Sequence, residues 1–136
     1  MYELSVKRTF CAAHAIVIAG QREPVHGHNW HATLTVAGPT LDAEGLLCDF
    51  HAVERALDAV IAPFVNADLN TTPPFDAVNP TAEHVAHHIA IATAAALVDV
   101  FRPDPGAPPR ARVIAVAVTE AEGCTATYRP PAESDS

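Results

Sequence analysis

Histidine carries the first chemical signal in this chain. His26 and His28 are separated only by Gly27, and His14 precedes them in the neighbouring extended segment. In a strand, alternate side chains share a face, so the two imidazoles of His26-Gly27-His28 can converge on one ion. If the segment before them pairs antiparallel, His14 reaches across as a third ligand. Zn2+ takes imidazole nitrogen at about 2.0–2.1 Å, and a three-ligand site keeps a fourth position for water or substrate. Gly27 leaves room on the opposite face. A His-X-His pair alone also fits ordinary surface or core histidines, and it is the third histidine that favours a metal.

The remaining candidates read as structure. His84, His87 and His88 include an i, i+4 pair but suit the polar face of a helix. His51 reads the same way, and so does His31, although it lies close enough to the motif to line a pocket. Cys11, Cys48 and Cys124 are odd in number and lack a framework spacing, which argues against disulfides and for a reducing compartment. They read as small buried residues.

Extended and helical elements must position the histidines. Residues 2–17 alternate Tyr2, Leu4 and Val6 with Glu3, Ser5 and Lys7 and predict a strand, which the polar turn Gly20–Pro24 ends. Residues 26–37 predict a second strand with His28, Trp30, Ala32, Leu34 and Val36 on one face. Residues 49–65 predict a helix capped by Asp49, with Phe50, Val53, Leu57, Val60, Ile61 and Phe64 as its apolar stripe. After a loop over 66–80, a second helix is expected near Asn79-Pro80-Thr81, with Pro80 in its first turn and a stripe through Val85, Ile89, Ala92, Ala96 and Val100. Strands over 111–120 and 124–129 complete the order strand, strand, helix, helix, strand, strand. Two amphipathic helices need a surface, and an antiparallel sheet supplies it. The sheet's other face should also be rich in Val, Ile, Leu and Trp. Two helices cannot cover both faces, so an oligomer that buries the second face or pairs the open edges is expected.

The 136 residues suit one domain, expected over 1–130 with a polar tail over 131–136. A hydrophobic share of 49% is enough for a core, and no apolar run reaches membrane-spanning length. The N-terminus does not look like a signal peptide, so a cytoplasmic protein is expected. A net charge of −8 disfavours nucleic acid as a partner while leaving an anionic small substrate open.

Several ordered motifs resemble the 6-pyruvoyl- and 6-carboxy-tetrahydropterin synthase family over most of the chain. Phe10-Cys11-Ala12-Ala13-His14 and His26-Gly27-His28-Asn29-Trp30 match its F-x-A-A-H and H-G-H-N-aromatic segments. Gly45 to Phe50 resembles G-x-x-x-D-F, Asp68-Leu69-Asn70 resembles D-L-N, and Asn79 to Glu83 resembles N-P-T-x-E. Glu120, Ala126 and Tyr128 match E-T-x-x-x-x-A-x-Y, with Ala121 in place of Thr. The resemblance implies an α+β tunnelling fold, a four-stranded antiparallel sheet with two helices on one face (ββααββ), closing into an oligomeric barrel, usually a hexamer of two stacked trimers. It implies Zn2+ on His14, His26 and His28, and Glu120 as the anchor of a pterin-like substrate. A carboxylate suits that task, because a pterin offers N3–H and a 2-amino group side by side.

The match breaks at the catalytic groups. The loop before His26 has no cysteine, and the family's Asp-His pair reads Val65-Asn66, which cannot relay protons as a His backed by an Asp can. Glu23-Pro24-Val25-His26-Gly27-His28 instead resembles a branch with E-x-x-H-G-H, whose members cleave the side chain of dihydroneopterin triphosphate towards 6-hydroxymethyl-dihydropterin. That resemblance makes Glu23 the base, and a turn-forming Glu before Pro24 is the alternative. Three functions stay open: a zinc-dependent lyase on this or a related pterin, a diverged metal- and pterin-binding homologue, and an enzyme acting on another purine-like heterocycle.

Overall fold

In a computed structural model, which describes residues 1–132, the alternating segments form two long strands, β1 (Tyr2–His14) and β4 (His26–Gly38). They pair antiparallel along their whole length, from Tyr2 opposite Gly38 to His14 opposite His26. Strand β6 (Arg112–Ala121) joins β4, and β7 (Cys124–Tyr128) closes that side. The expected four-stranded antiparallel sheet gains a fifth member, β5 (Ala67–Asp68), parallel to Ala12 and Ala13 of β1. Helices α1 (Phe50–Ile61) and α2 (Ala82–Ala96), followed by the short α3 (Val98–Phe101), pack on one face of the sheet. The core between them holds Phe10, Trp30, Leu34, Val36, Val116 and Val118 from the strands and Val53, Leu57, Val85 and Ile89 from the helices.

Local chemistry sets the element ends. Asp49 caps α1 by accepting from the His51 amide at 2.9 Å, as its position predicts. The helix ends at Ile61, and a 3-10 turn through Pro63 carries the chain on to Phe64, one residue short of the expected end. Phe50 is half exposed rather than part of the stripe. Helix α2 starts two residues later than expected. Thr81 is its cap, with its Oγ1 accepting from the His84 amide, and Pro80 lies outside the first turn. Its buried stripe runs through Val85, Ala86, Ile89, Ala90 and Thr93, while Ala96 is exposed. The Thr93 hydroxyl makes this phase tolerable by donating to the Ile89 carbonyl at 2.6 Å. The first strand stops at His14, short of residue 17, because the chain turns there into a small hairpin of β2 (Val17–Ile18) and β3 (Gln21–Arg22). The tail expected over 131–136 lies outside the described residues from 133 onward.

The open sheet face corrects a second expectation. It is polar, not rich in large apolar residues. Cross-strand pairs line it: Ser5 with Thr35, Thr9 with His31, Cys11 with Asn29 and Thr119 with Thr125, at 2.7–3.1 Å. Cys11, on this face, and Cys124, at the start of β7, are exposed and only Cys48 is partly buried, against the expectation for all three. His31 sits on this face, opposite the other histidines of its strand. With both faces accounted for, the unmet demand of the sheet is at its edges, β7 and the first part of β1.

His88 provides a test of packing on the helix side. Its ring lies 5.6 Å from both Phe64 and Phe75, and burial, aided by neighbouring His87, holds its pKa below the usual imidazole value. The unfolded chain then takes up this proton first. The stabilising contribution is complete above about pH 6.5 and is lost as pH falls towards the folded value. His88→Phe should thus show a smaller drop in Tm between pH 7.5 and 5 than the parent chain, at fixed ionic strength. Parallel curves would show that His88 does not contribute.

Candidate metal and ligand site

The end of the β1–β4 ladder builds the site. His14 and His26 are the last pair in register, and His28 lies two residues along β4 on the same face. Their ring centroids lie 4.7–5.2 Å apart, and one nitrogen from each falls within 4.8 Å of the others. The predicted convergence of His14, His26 and His28 is present.

Two neighbouring carbonyls orient the rings. His14 is fully buried, and its Nδ1–H donates to the Pro80 carbonyl at 2.7 Å. This leaves a lone pair on Nε2. His26 Nδ1 makes the same kind of bond to the Pro24 carbonyl at 2.9 Å. Burial holds His28 below the usual imidazole pKa, with Glu120 pulling the other way and the two neighbouring imidazoles reinforcing the drop. Neutral imidazole is the form that binds metal. Second partners of this kind are how proteins fix the tautomer of a metal-binding histidine.

A polar atom buried without a partner loses its hydration for nothing. His14 Nε2, His28 Nε2 and Glu120 Oε2 are three such atoms, all in this one place. A transition-metal ion answers all of them together, so the residues present fit one. Trp30 seals the inner side, edge-on to His14 at 4.9 Å, with its indole N–H donated to the Ala12 carbonyl.

Both candidate carboxylates reach the triad. Glu120 Oε2 is 3.5 Å from His14 Nε2, and Glu23 Oε1 is 3.5 Å from His26 Nε2. Glu23 is held by the main chain of the preceding hairpin. Its amide donates to the Ile16 carbonyl at 3.0 Å, and its Oε1 accepts from the Ile16 amide at 3.2 Å. Beside the triad a cavity of about 560 Å3 is lined by Cys11, Gly27, His28, Asn29, Asn66 and Asp68. A Cβ on Gly27 would meet nothing within 4 Å, so the glycine keeps this wall bare rather than relieving a clash. His31, expected near enough to line a pocket, is not among those lining residues, although it shares the open sheet face with Cys11 and Asn29.

The scaffold of the site was not assigned from sequence. The Asn70 carboxamide accepts from the Ala15 amide and donates to the Ala15 carbonyl, both at 2.8 Å. Asn79 does the same for Val17, at 2.9 and 3.0 Å. These two asparagines act as short pieces of strand, holding the chain immediately after His14. Asn79, Pro80 and Thr81 thus do three jobs in a row: clamp, histidine acceptor and helix cap. The available signal was chemical: only Asn and Gln offer a donor and an acceptor side by side.

The family described as 6-pyruvoyl tetrahydropterin synthase matches residues 3–131. No curated protein matches the chain. Among solved structures, the Plasmodium falciparum 6-pyruvoyl tetrahydropterin synthase superposes with a TM-score of 0.74 at 19% identity, covering 95% of this chain and 97% of that one. The Caenorhabditis elegans enzyme gives 0.72 at 17% identity over 96% and 98% of the two chains. A Plasmodium vivax 6-pyruvoyltetrahydropterin synthase, whose description names a glutamate-to-alanine change of a catalytic residue, gives 0.73 at 18% identity over 95% and 97%. These likenesses establish the shared fold.

Purified protein never exposed to chelator should carry about one transition-metal ion per chain. His26→Ala should lose most of it, read by elemental analysis. Metal-free wild-type protein would remove the site.

Proposed function

Because the chain belongs to the 6-pyruvoyl tetrahydropterin synthase family, we propose that it is a zinc-dependent lyase acting on the side chain of a reduced pterin such as 7,8-dihydroneopterin triphosphate. The observation that carries this reading is the convergence of three imidazole nitrogens and two carboxylates at one end of the sheet, with three of those atoms buried and unpartnered. His14, His26 and His28 would hold the ion. When bound, Zn2+ would polarise side-chain oxygens of the substrate and lower the pKa of their hydroxyl groups.

The chain's own residues divide the remaining work. Glu120 accepts from the ring N3–H and 2-amino group. Glu23, held by Ile16 and facing the triad, removes a proton from a side-chain hydroxyl. That oxygen then forms a carbonyl, the adjacent carbon–carbon bond breaks, and its electron pair passes into the conjugated ring. The protonated Glu23 returns a proton to the carbon that remains on the ring. One carboxylate thus serves as base and then acid, and the product is a hydroxymethyl pterin. The description of a catalytic glutamate in the Plasmodium vivax protein supports giving a glutamate this role.

Val65 and Asn66 favour cleavage over formation of the 6-pyruvoyl product. That route needs proton transfers at several carbons, and neither residue titrates in the relevant range. Asn66 has φ +55°, and its amide donates to the Cys11 carbonyl at 2.7 Å, which is a backbone role. The unpaired edges of β1 and β7 support self-association by strand pairing, with the hexamer of the family as the proposed assembly. Among the described residues no helix is long and apolar enough to cross a membrane.

Incubation with dihydroneopterin triphosphate and identification of products tests the reading. A hydroxymethyl product is expected, with little or no 6-pyruvoyl product, and the reverse result overturns it. Glu23→Ala should lower the cleavage rate roughly 10²–10⁴-fold with metal content unchanged. Glu120→Gln places a donor against ring donors and should weaken ring binding by about 2–4 kcal/mol in calorimetry. A ligand-competent protein with no turnover would leave the diverged binder in place of the lyase.

A further inference from the structure

We propose that Glu120 is a switching ligand: with the ring site empty its Oε2 fills the fourth position of the ion held by His14, His26 and His28, and it leaves that ion when a pterin-like ring arrives. The inference rests on the metal reading above and extends the role of Glu120 beyond ring recognition.

The case begins with two acceptors that face each other. His14 Nδ1–H is committed to the Pro80 carbonyl, so in the neutral ring His14 Nε2 carries only a lone pair. Glu120 Oε2, 3.5 Å away, is also an acceptor, and both atoms are buried without a partner. Out of water such a contact is repulsive unless a cation lies between. A proton would serve this pair alone. It would leave His28 Nε2, equally buried and unpartnered, unexplained. A metal shared by the triad and Glu120 satisfies every one of these atoms.

The distance agrees. With metal–ligand bonds of about 2.1 Å, two ligand atoms of a tetrahedral ion lie roughly 3.4 Å apart. Glu23 stands at the same 3.5 Å from His26, but its Oε1 also accepts from the Ile16 amide, which holds it to the main chain. Glu120 Oε2 has no competing partner.

Backbone geometry supplies the freedom to switch. The β6–β7 ladder shifts register between Thr119 and Ala121, which leaves Glu120 outside the pairing, and β4 pairs with β6 only as far as Thr119. Bulges of this kind re-aim a side chain. The Glu120 side chain is 25% exposed while Oε2 is buried, so it has one face in the site and another towards solvent. A ring that offers two adjacent N–H donors gives the carboxylate an alternative partner. Ring capture then opens the metal position that the substrate's oxygens need, and an idle enzyme keeps that position closed.

The test uses the full chain loaded with Co2+, whose visible absorption reports its coordination. Metal affinity is measured by competition with a chromophoric chelator for the wild type, Glu120→Gln and Glu120→Ala. Both variants should bind the metal at least about 10-fold more weakly, with altered visible absorption and unchanged Tm of the chelated proteins. Pterin itself, which has the ring but no side chain, should change the wild-type spectrum and leave that of Glu120→Ala unaltered. Wild-type metal affinity and spectrum in both variants overturn the proposal, as does a wild-type spectrum indifferent to pterin under conditions where pterin binds. If both variants lose ring affinity but keep wild-type metal binding, the ring role stands and the switch falls. If they lose metal affinity but bind pterin like the wild type, Glu120 is a metal ligand only, and both the switch and the ring role fall.

Discussion

The register between β1 and β4 is the constraint on which the site depends. The two strands pair residue for residue, and the last pair is His14 with His26. A strand has a side-chain period of two, so a slip of one residue would send His14 to the threonine-lined face and leave His26 and His28 without their third member. The slip would also turn Phe10 and Ala12 out of the core and break the Trp30 bond to the Ala12 carbonyl. Core burial and site assembly therefore select the same register. The hydrophobic pattern along the strands places the triad without any interaction specific to metal.

Register alone leaves the imidazoles free to rotate and the chain after His14 free to stray. Loop residues far along the sequence remove that freedom. Asn70 and Asn79 tie down Ala15 and Val17, and the Pro80 carbonyl fixes the ring of His14. Each clamp uses both the donor and the acceptor of a carboxamide, so the loop over 66–80 is tied to the chain at two points beside the site. Thr81 then starts α2, whose core-facing residues pack on β6, the strand that carries Glu120. Site geometry and helix packing are thus one connected structure.

What could be read from the sequence follows the range of each interaction. Alternation revealed the strands, and the spacing of Val53, Leu57 and Ile61 revealed α1, because these signals are local. His-X-His plus one more strand histidine revealed the triad for the same reason. The phase of α2 was misjudged because Thr93 is buried, and only its hydroxyl bond to the Ile89 carbonyl makes that tolerable. The open face departs from the overall composition because Ser5, Thr9, Thr33 and Thr35 occupy the alternate positions of the same strands. Pro80 as an acceptor for His14 could not be read at all, since a backbone carbonyl leaves no trace in residue identity.

Val65 and Asn66 stand where the resemblance leads one to expect a proton-relaying pair, and the backbone there has its own task. At position 66 the backbone has φ +55°, a conformation that Asn tolerates better than most residues, and its amide binds the edge of β1. That side of the cavity therefore has a backbone task, and its one carboxylate, Asp68, accepts from the Asn70 amide at 3.0 Å. The titratable groups that face the triad are Glu23 and Glu120, approaching from two different histidines. On the reading proposed here, one of them must handle the ring and the other the proton. Glu23 is pinned to the Ile16 main chain beside the half-buried His26, which suits a fixed base. Glu120 has an unsatisfied oxygen and lies outside its ladder, which suits a group that changes partners. The two carboxylates differ in backbone restraint rather than in residue type, and the proposed division of roles follows that difference.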